Sequence, residues 1–80
     1  MKTKQAIETR ILQFCQERST SVNAIANESG IPPSTLYSIL NEKSQNPGIV
    51  SLKMLCDGLG ITLRQFFDDP IFDDLEQEIQ

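Results

Sequence analysis

Eighty residues, about two fifths of them apolar, are enough for one domain with a modest core. There is no histidine, no Gly-rich phosphate loop and no nucleophile beside a base at a motif spacing, so no catalytic reading survives and no cofactor is implied. The net charge of −4 argues against a nucleic-acid partner until it is divided along the chain. Residues 1–65 hold seven basic and five acidic residues, a balance of +2, while residues 66–80 hold six acidic residues and no basic one. The body is mildly basic and the acidity belongs to the tail.

The first predicted helix covers residues 3–18, starting near Thr3. Ile7, Ile11, Phe14 and Cys15 form one apolar stripe, which Leu12 widens. Ser19, Thr20 and Ser21 end it, because short hydroxyl side chains compete for backbone hydrogen bonds. Ser21 is then a good N-cap for a second helix over residues 22–29, with Val22, Ile25 and Ala26 inward. Gly30 can take positive φ and turn the chain sharply, and Ile31 tucks under that turn. Pro32 and Pro33 force Ile31 out of the α region and pre-set φ for a third helix over residues 33–41. Leu36, Ile39 and Leu40 face inward in it, leaving Ser34, Thr35, Tyr37, Ser38 and Asn41 outside.

A polar loop over residues 42–48 carries a turn signal at Asn46, Pro47 and Gly48. The fourth helix covers residues 49–59, with Ile49, Leu52, Leu55, Cys56 and Leu59 on one stripe and Gly60 as its stop. Thr62 and Gln65 have the spacing of a capping box, so a fifth helix starts at Leu63 and places Phe66 and Phe67 in the core. Pro70 breaks the chain. Residues 71–79 are expected to form at most a last amphipathic turn or two, a sixth short helix, through Phe72, Leu75 and Ile79.

Cys15 and Cys56 both fall on apolar faces and read as buried small hydrophobes. Two thiols without histidine do not make a structural zinc site, and no metal is expected. No apolar run is long enough to cross a bilayer and no secretion signal follows Lys2 and Lys4, so the expected location is the cytoplasm and no membrane partner is expected.

Ile25 and Ala26, then Gly30 and Ile31, then Leu36 and Ile39, form an ordered set. So do Asn46–Pro47, the Leu52, Leu55 and Cys56 stripe, Leu59–Gly60–Ile61 and Phe66–Phe67 downstream. Together they resemble the helix-turn-helix domain of the phage Cro and repressor type, the XRE family of transcriptional regulators, over about residues 11–67. The resemblance implies an all-α, compact five-helix, lambda-repressor-like DNA-binding domain over residues 1–67, with its motif at 22–40 and an acidic C-terminal tail at 68–80.

It also implies a function: a sequence-specific DNA-binding transcriptional regulator, expected to be a repressor, that places the third helix in the major groove of double-stranded DNA. Pro33, Ser34, Tyr37 and Ser38 would face bases. Ser21, Val22 and Asn23 at the second helix's N-terminus, and Lys43, Ser44, Gln45 and Asn46 after the third helix, would face phosphates. Three departures stand out. Val22 replaces a common Gln, Pro32 and Pro33 replace a capping hydroxyl and a polar base-reader, and Ser29 replaces a common large apolar residue, which implies a looser helix crossing. The alternative is a protein-interaction module, adaptor or antitoxin-like, that keeps the scaffold without binding DNA tightly alone.

The tail has three readings. Its apolar residues patch the core; or Ile71, Phe72, Leu75 and Ile79 make a homodimer contact; or its acids mimic DNA over the basic face. No small-molecule ligand is inferred.

Overall fold

The computed structural model describes residues 1–41 and 46–79. The described residues form five α-helices: α1 (Thr3–Glu17), α2 (Val22–Ser29), α3 (Pro33–Leu40), α4 (Ile49–Leu59) and α5 (Leu63–Phe66). A single 3-10 turn follows at Pro70–Phe72. The described residues contain no strand, and the architecture is the expected all-α bundle. The core gathers Ile7, Ile11, Phe14 and Cys15 of α1, Ile25 and Ala26 of α2, Leu36 and Ile39 of α3, Leu52, Leu55, Cys56 and Leu59 of α4, and Phe66 of α5. Leu12 does not join it. That side chain is 55% exposed, because α1 meets the bundle along a narrower stripe than its apolar residues suggest.

The helix ends follow local chemistry. Ser21 Oγ accepts from the Ala24 amide at 3.1 Å and opens α2. Gly30 closes it at φ 68°, a left-handed geometry that glycine adopts without Cβ strain. The Ile31 amide then donates to the Ala26 carbonyl at 3.0 Å, which folds Ile31 into the core as α3 begins. Thr62 and Gln65 form the reciprocal box that opens α5, with bonds of 3.0 and 2.8 Å. At the end of α1 it is Ser19 that takes the left-handed turn, at φ 51°. At its start, Thr3 is the first helical residue and Lys2 holds the cap position; the Lys2 amide donates to Gln5 Oε1 at 3.0 Å.

The close approach at Ser29 is made to α4. Ser29 sits directly over Gly58 of α4. A Cβ built on Gly58 would overlap Ser29 Cβ and stand 3.3 Å from its Cα. The two small residues let the helix backbones approach closely, so the absence of a large side chain at Ser29 tightens this crossing. Ser29 Oγ is buried there and meets no hydrogen-bond partner among the described residues.

The tail is tied to α1 and α5. Arg10, its side chain 11% exposed, donates through Nε to the Phe66 carbonyl at 2.7 Å and through Nη2 to the Gln65 carbonyl at 2.9 Å. Its Nη1 pairs with Asp69 at 3.3 Å, and its guanidinium lies 4.3 Å from the Phe14 ring centroid. One side chain therefore satisfies the last carbonyls of α5 and anchors the start of the tail. Phe72 packs edge-on against Phe67 and near Phe66, with ring centroids 4.9 and 6.2 Å apart. Phe67 itself is partly exposed rather than fully in the core. Beyond the 3-10 turn the chain returns to the start of α1. The Glu76 amide donates to the Met1 carbonyl at 3.1 Å, and Thr3 Oγ1 donates to Glu78 at 3.0 Å. No sixth α-helix forms among the described residues.

Burial pushes both thiols up from the ordinary cysteine range, and at Cys56 the neighbouring Asp57 adds to the effect while Lys53 opposes it. Both remain protonated packing groups at neutral pH.

Two consequences are measurable by denaturant unfolding. Gly58→Ala should destabilise the fold by about 2–3 kcal/mol through overpacking. Adding Ser29→Gly should recover a large part of that loss, whereas Ser29→Ala, which keeps the Cβ, should not. Arg10→Ala should cost about 2–3 kcal/mol, because charged hydrogen bonds are lost and the part-buried Phe66 carbonyl loses its donor. Arg10→Lys should rescue little, since an ammonium lacks the fork that reaches the carbonyls and Asp69 together.

Candidate nucleic-acid interface

The inward face of α3 is fixed by Leu36 and Ile39, both almost fully buried, with Leu40 packed beside them. Helical spacing then turns Ser34, Tyr37 and Ser38 outward, and all three are exposed. Tyr37 is 56% exposed despite its size. Pro33 is the first residue of α3, where its missing N–H costs nothing. The side chain of Pro33 lies outside what the structure describes. No side-chain cap completes this helix start. The Pro32 carbonyl accepts from the Thr35 amide at 2.9 Å instead.

The N-terminus of α2 lies against the same surface. Tyr37 Oη donates to Asn23 Oδ1 at 3.2 Å, joining the outward faces of α2 and α3. Ser21 and Asn23 are exposed. Val22 is half-buried against the core, so what it offers outward is its backbone rather than its side chain. Asn46 is exposed at the far end of the loop after α3, while Lys43, Ser44 and Gln45 lie outside the described residues. The structure thus brings Ser21, Asn23 and Tyr37 together beside Ser34 and Ser38. The Asn23–Tyr37 bond is the feature that sequence reasoning missed. Each residue was singled out separately, but nothing in a spacing of fourteen signals the bond.

Charge around this surface is thinner than the sequence balance suggests. Lys4 is buried and paired with Glu8 at 3.1 Å, Arg10 is spent on α5 and Asp69, and Lys53 is paired with Asp57 on α4. Lys2, Arg18 and Arg64 make no ion pair among the described residues. Outside the tail itself, its hydrogen bonds, ion pairs and ring contacts go to Met1, to α1, and to Gln65, Phe66 and Phe67. None reaches α2 or α3 among the described residues. Of the tail's apolar residues, Ile71, Phe72 and Leu75 are half-buried and Ile79 is 89% exposed.

Among the described residues, no group of three or more His, Cys, Asp or Glu gathers to hold a metal ion. No helix there is long and apolar enough to cross a membrane.

Known proteins bear on this geometry in two ways. The crystal structure of the prophage Lp1 protein 11 shares the fold with a TM-score of 0.78 and 25% sequence identity, covering 94% of this chain and 100% of that one. No curated protein matches the sequence. The family model for the Cro/C1-type HTH DNA-binding domain matches residues 10–70, a span that runs from the Arg10 anchor through the α2–α3 motif to the end of α5 and the turn at Pro70. The chain therefore belongs to the Cro/C1-type helix-turn-helix DNA-binding domain family.

Proposed function

We propose that the protein is a sequence-specific transcriptional regulator of the cytoplasm, a repressor, that lays α3 in the major groove of duplex DNA. The observation that carries this reading is the single outward surface made by Ser34, Tyr37 and Ser38 on α3 and by Ser21 and Asn23 on α2, in a chain of a DNA-binding family. Ser34 and Ser38 donate to or accept from most bases, so each specifies little alone. Pro33 suits a thymine methyl, and Tyr37 reaches a base edge with its hydroxyl. The N-terminus of α2 offers backbone N–H groups and the Ser21 hydroxyl to a phosphate, helped by the helix dipole. Lys43, Ser44, Gln45 and Asn46 continue the phosphate contacts beyond α3. Two copies, joined through Ile79 and its apolar neighbours in the tail, would read half-sites about one helical turn apart.

Ion pairing inside the fold limits how many cations can displace counterions. The salt dependence should therefore be shallow for a DNA binder, with a log–log slope of about −2 to −5 per protomer. Selection from random duplexes at low and physiological salt, followed by titration across salt concentrations, tests the reading. Enrichment of a defined sequence with that slope is expected. Absence of enrichment even at low salt would contradict it and would favour a protein-interaction role for the same scaffold. Ser21→Ala should lower stability by about 1 kcal/mol through the lost cap and should weaken binding to all duplexes alike.

A further inference from the structure

We infer that Tyr37 is a specificity-determining residue that reads an exocyclic base amine, and that Asn23 is the positioning residue that sets the polarity of its hydroxyl. The inference rests on the DNA-binding reading above and adds the chemistry of one contact. A phenol has one O–H to donate. In this structure Tyr37 donates it to Asn23 Oδ1 at 3.2 Å. The hydroxyl is then committed as a donor within the protein, and only its lone pairs are left for a partner. Tyr37 is 56% exposed, so those lone pairs remain accessible beside the solvent-facing edge of its ring.

Asn23 is the complementary partner. Its carbonyl oxygen is turned to Tyr37, which leaves the amide Nδ2 and its two N–H donors without a partner among the described residues. Phosphate oxygens only accept hydrogen bonds, so they suit Nδ2 and do not suit the outward lone pairs of Tyr37. Base amines donate, so they suit Tyr37. The pair thus divides two tasks across the mouth of the motif: Asn23 at the N-terminus of α2 takes the backbone, and Tyr37 on α3 takes a base edge.

In the major groove each base pair carries one exocyclic amine, on adenine N6 or cytosine N4, while guanine and thymine present acceptors. An acceptor-only hydroxyl therefore distinguishes which strand bears the amine. It favours adenine or cytosine over guanine or thymine at one position of the strand it approaches. Were the hydroxyl free to rotate, it would donate to guanine O6 or thymine O4 equally well, and this preference would vanish.

The test uses the full chain and random-duplex selection on the native protein, Tyr37→Phe and Asn23→Ala. Affinities are then measured on the enriched duplex and on duplexes with one base pair reversed at a time. Both substitutions fall on exposed side chains, and thermal melts check that the fold is kept. The native protein should show one position with adenine or cytosine preferred about fivefold over the reversed pair, the size of one hydrogen bond in base discrimination. Tyr37→Phe and Asn23→Ala should each bring that ratio within about twofold of unity, leaving preferences at other positions unchanged. A guanine or thymine preference that depends on Tyr37 overturns the inference, and so does full discrimination retained in Asn23→Ala. Either result leaves the DNA-binding reading intact. If the native protein enriches no sequence, the DNA-binding reading fails and the assignment of Tyr37 fails with it.

Discussion

The close contact of Ser29 with Gly58 sets how α2 lies on α4, and with it where the outward surface of α2 and α3 stands. α4 is the pillar of the bundle, with Leu52, Leu55, Cys56 and Leu59 all buried, and α2, α3 and α5 pack on it. Because α2 approaches α4 at two small residues, the last turn of α2 lies close against the pillar. Gly30 then turns the chain from that end, and Ile31 and Leu36 lock the start of α3 into the core. The direction in which Ser34, Tyr37 and Ser38 point follows from those packing constraints rather than from any contact they make themselves.

Arg10 plays the corresponding role on the other side. A cation placed under an aromatic ring and forked onto two carbonyls and a carboxylate fixes α5 and the acidic tail to α1. The same arrangement removes a positive charge from the surface. With Lys4 also buried in a pair, two of the seven basic residues work inside the fold, and Lys53 pairs with Asp57 on the exposed face of α4. What Ser21, Asn23, Ser34, Tyr37 and Ser38 present outward is hydroxyl, amide and phenol, while Glu28 on α2 exposes a carboxylate. A surface of this kind gains its grip from geometry and helix ends more than from long-range attraction.

Much of the fold was legible because its signals are local. Gly30 and Gly60 stop helices, Thr62 and Gln65 open one, and the apolar stripe of α4 has helical spacing from Leu52 to Leu59; each is readable from a few adjacent residues, whereas Ile49, at the first turn of α4, is 58% exposed and off that stripe. The losses came where the deciding partner is remote. Arg10 reads as one more cation on an amphipathic helix, since its partners lie at residues 65 to 69. Ser29 reads as a missing large residue until Gly58 is set beneath it, although a glycine inside an apolar helix is itself a hint of close approach. The tail's apolar residues suggested helical turns. Instead, Asp69 Oδ1 accepts from the Ile71 amide, and Phe72 finds the rings of Phe66 and Phe67 after a single 3-10 turn. At the candidate site, outward exposure of Ser34, Tyr37 and Ser38 followed from the burial of Leu36 and Ile39. The bond between Tyr37 and Asn23 depends on how two helices are set side by side, which no local pattern encodes.

The central claim is that the α2–α3 surface, and not the tail or α1, meets duplex DNA. Mapping backbone amide chemical-shift changes on titration with an enriched duplex tests it most directly. Changes concentrated at residues 21–24 and 34–38, with the tail at 70–79 undisturbed, are expected. Changes confined to the tail and α1, or none at saturating duplex, would contradict it.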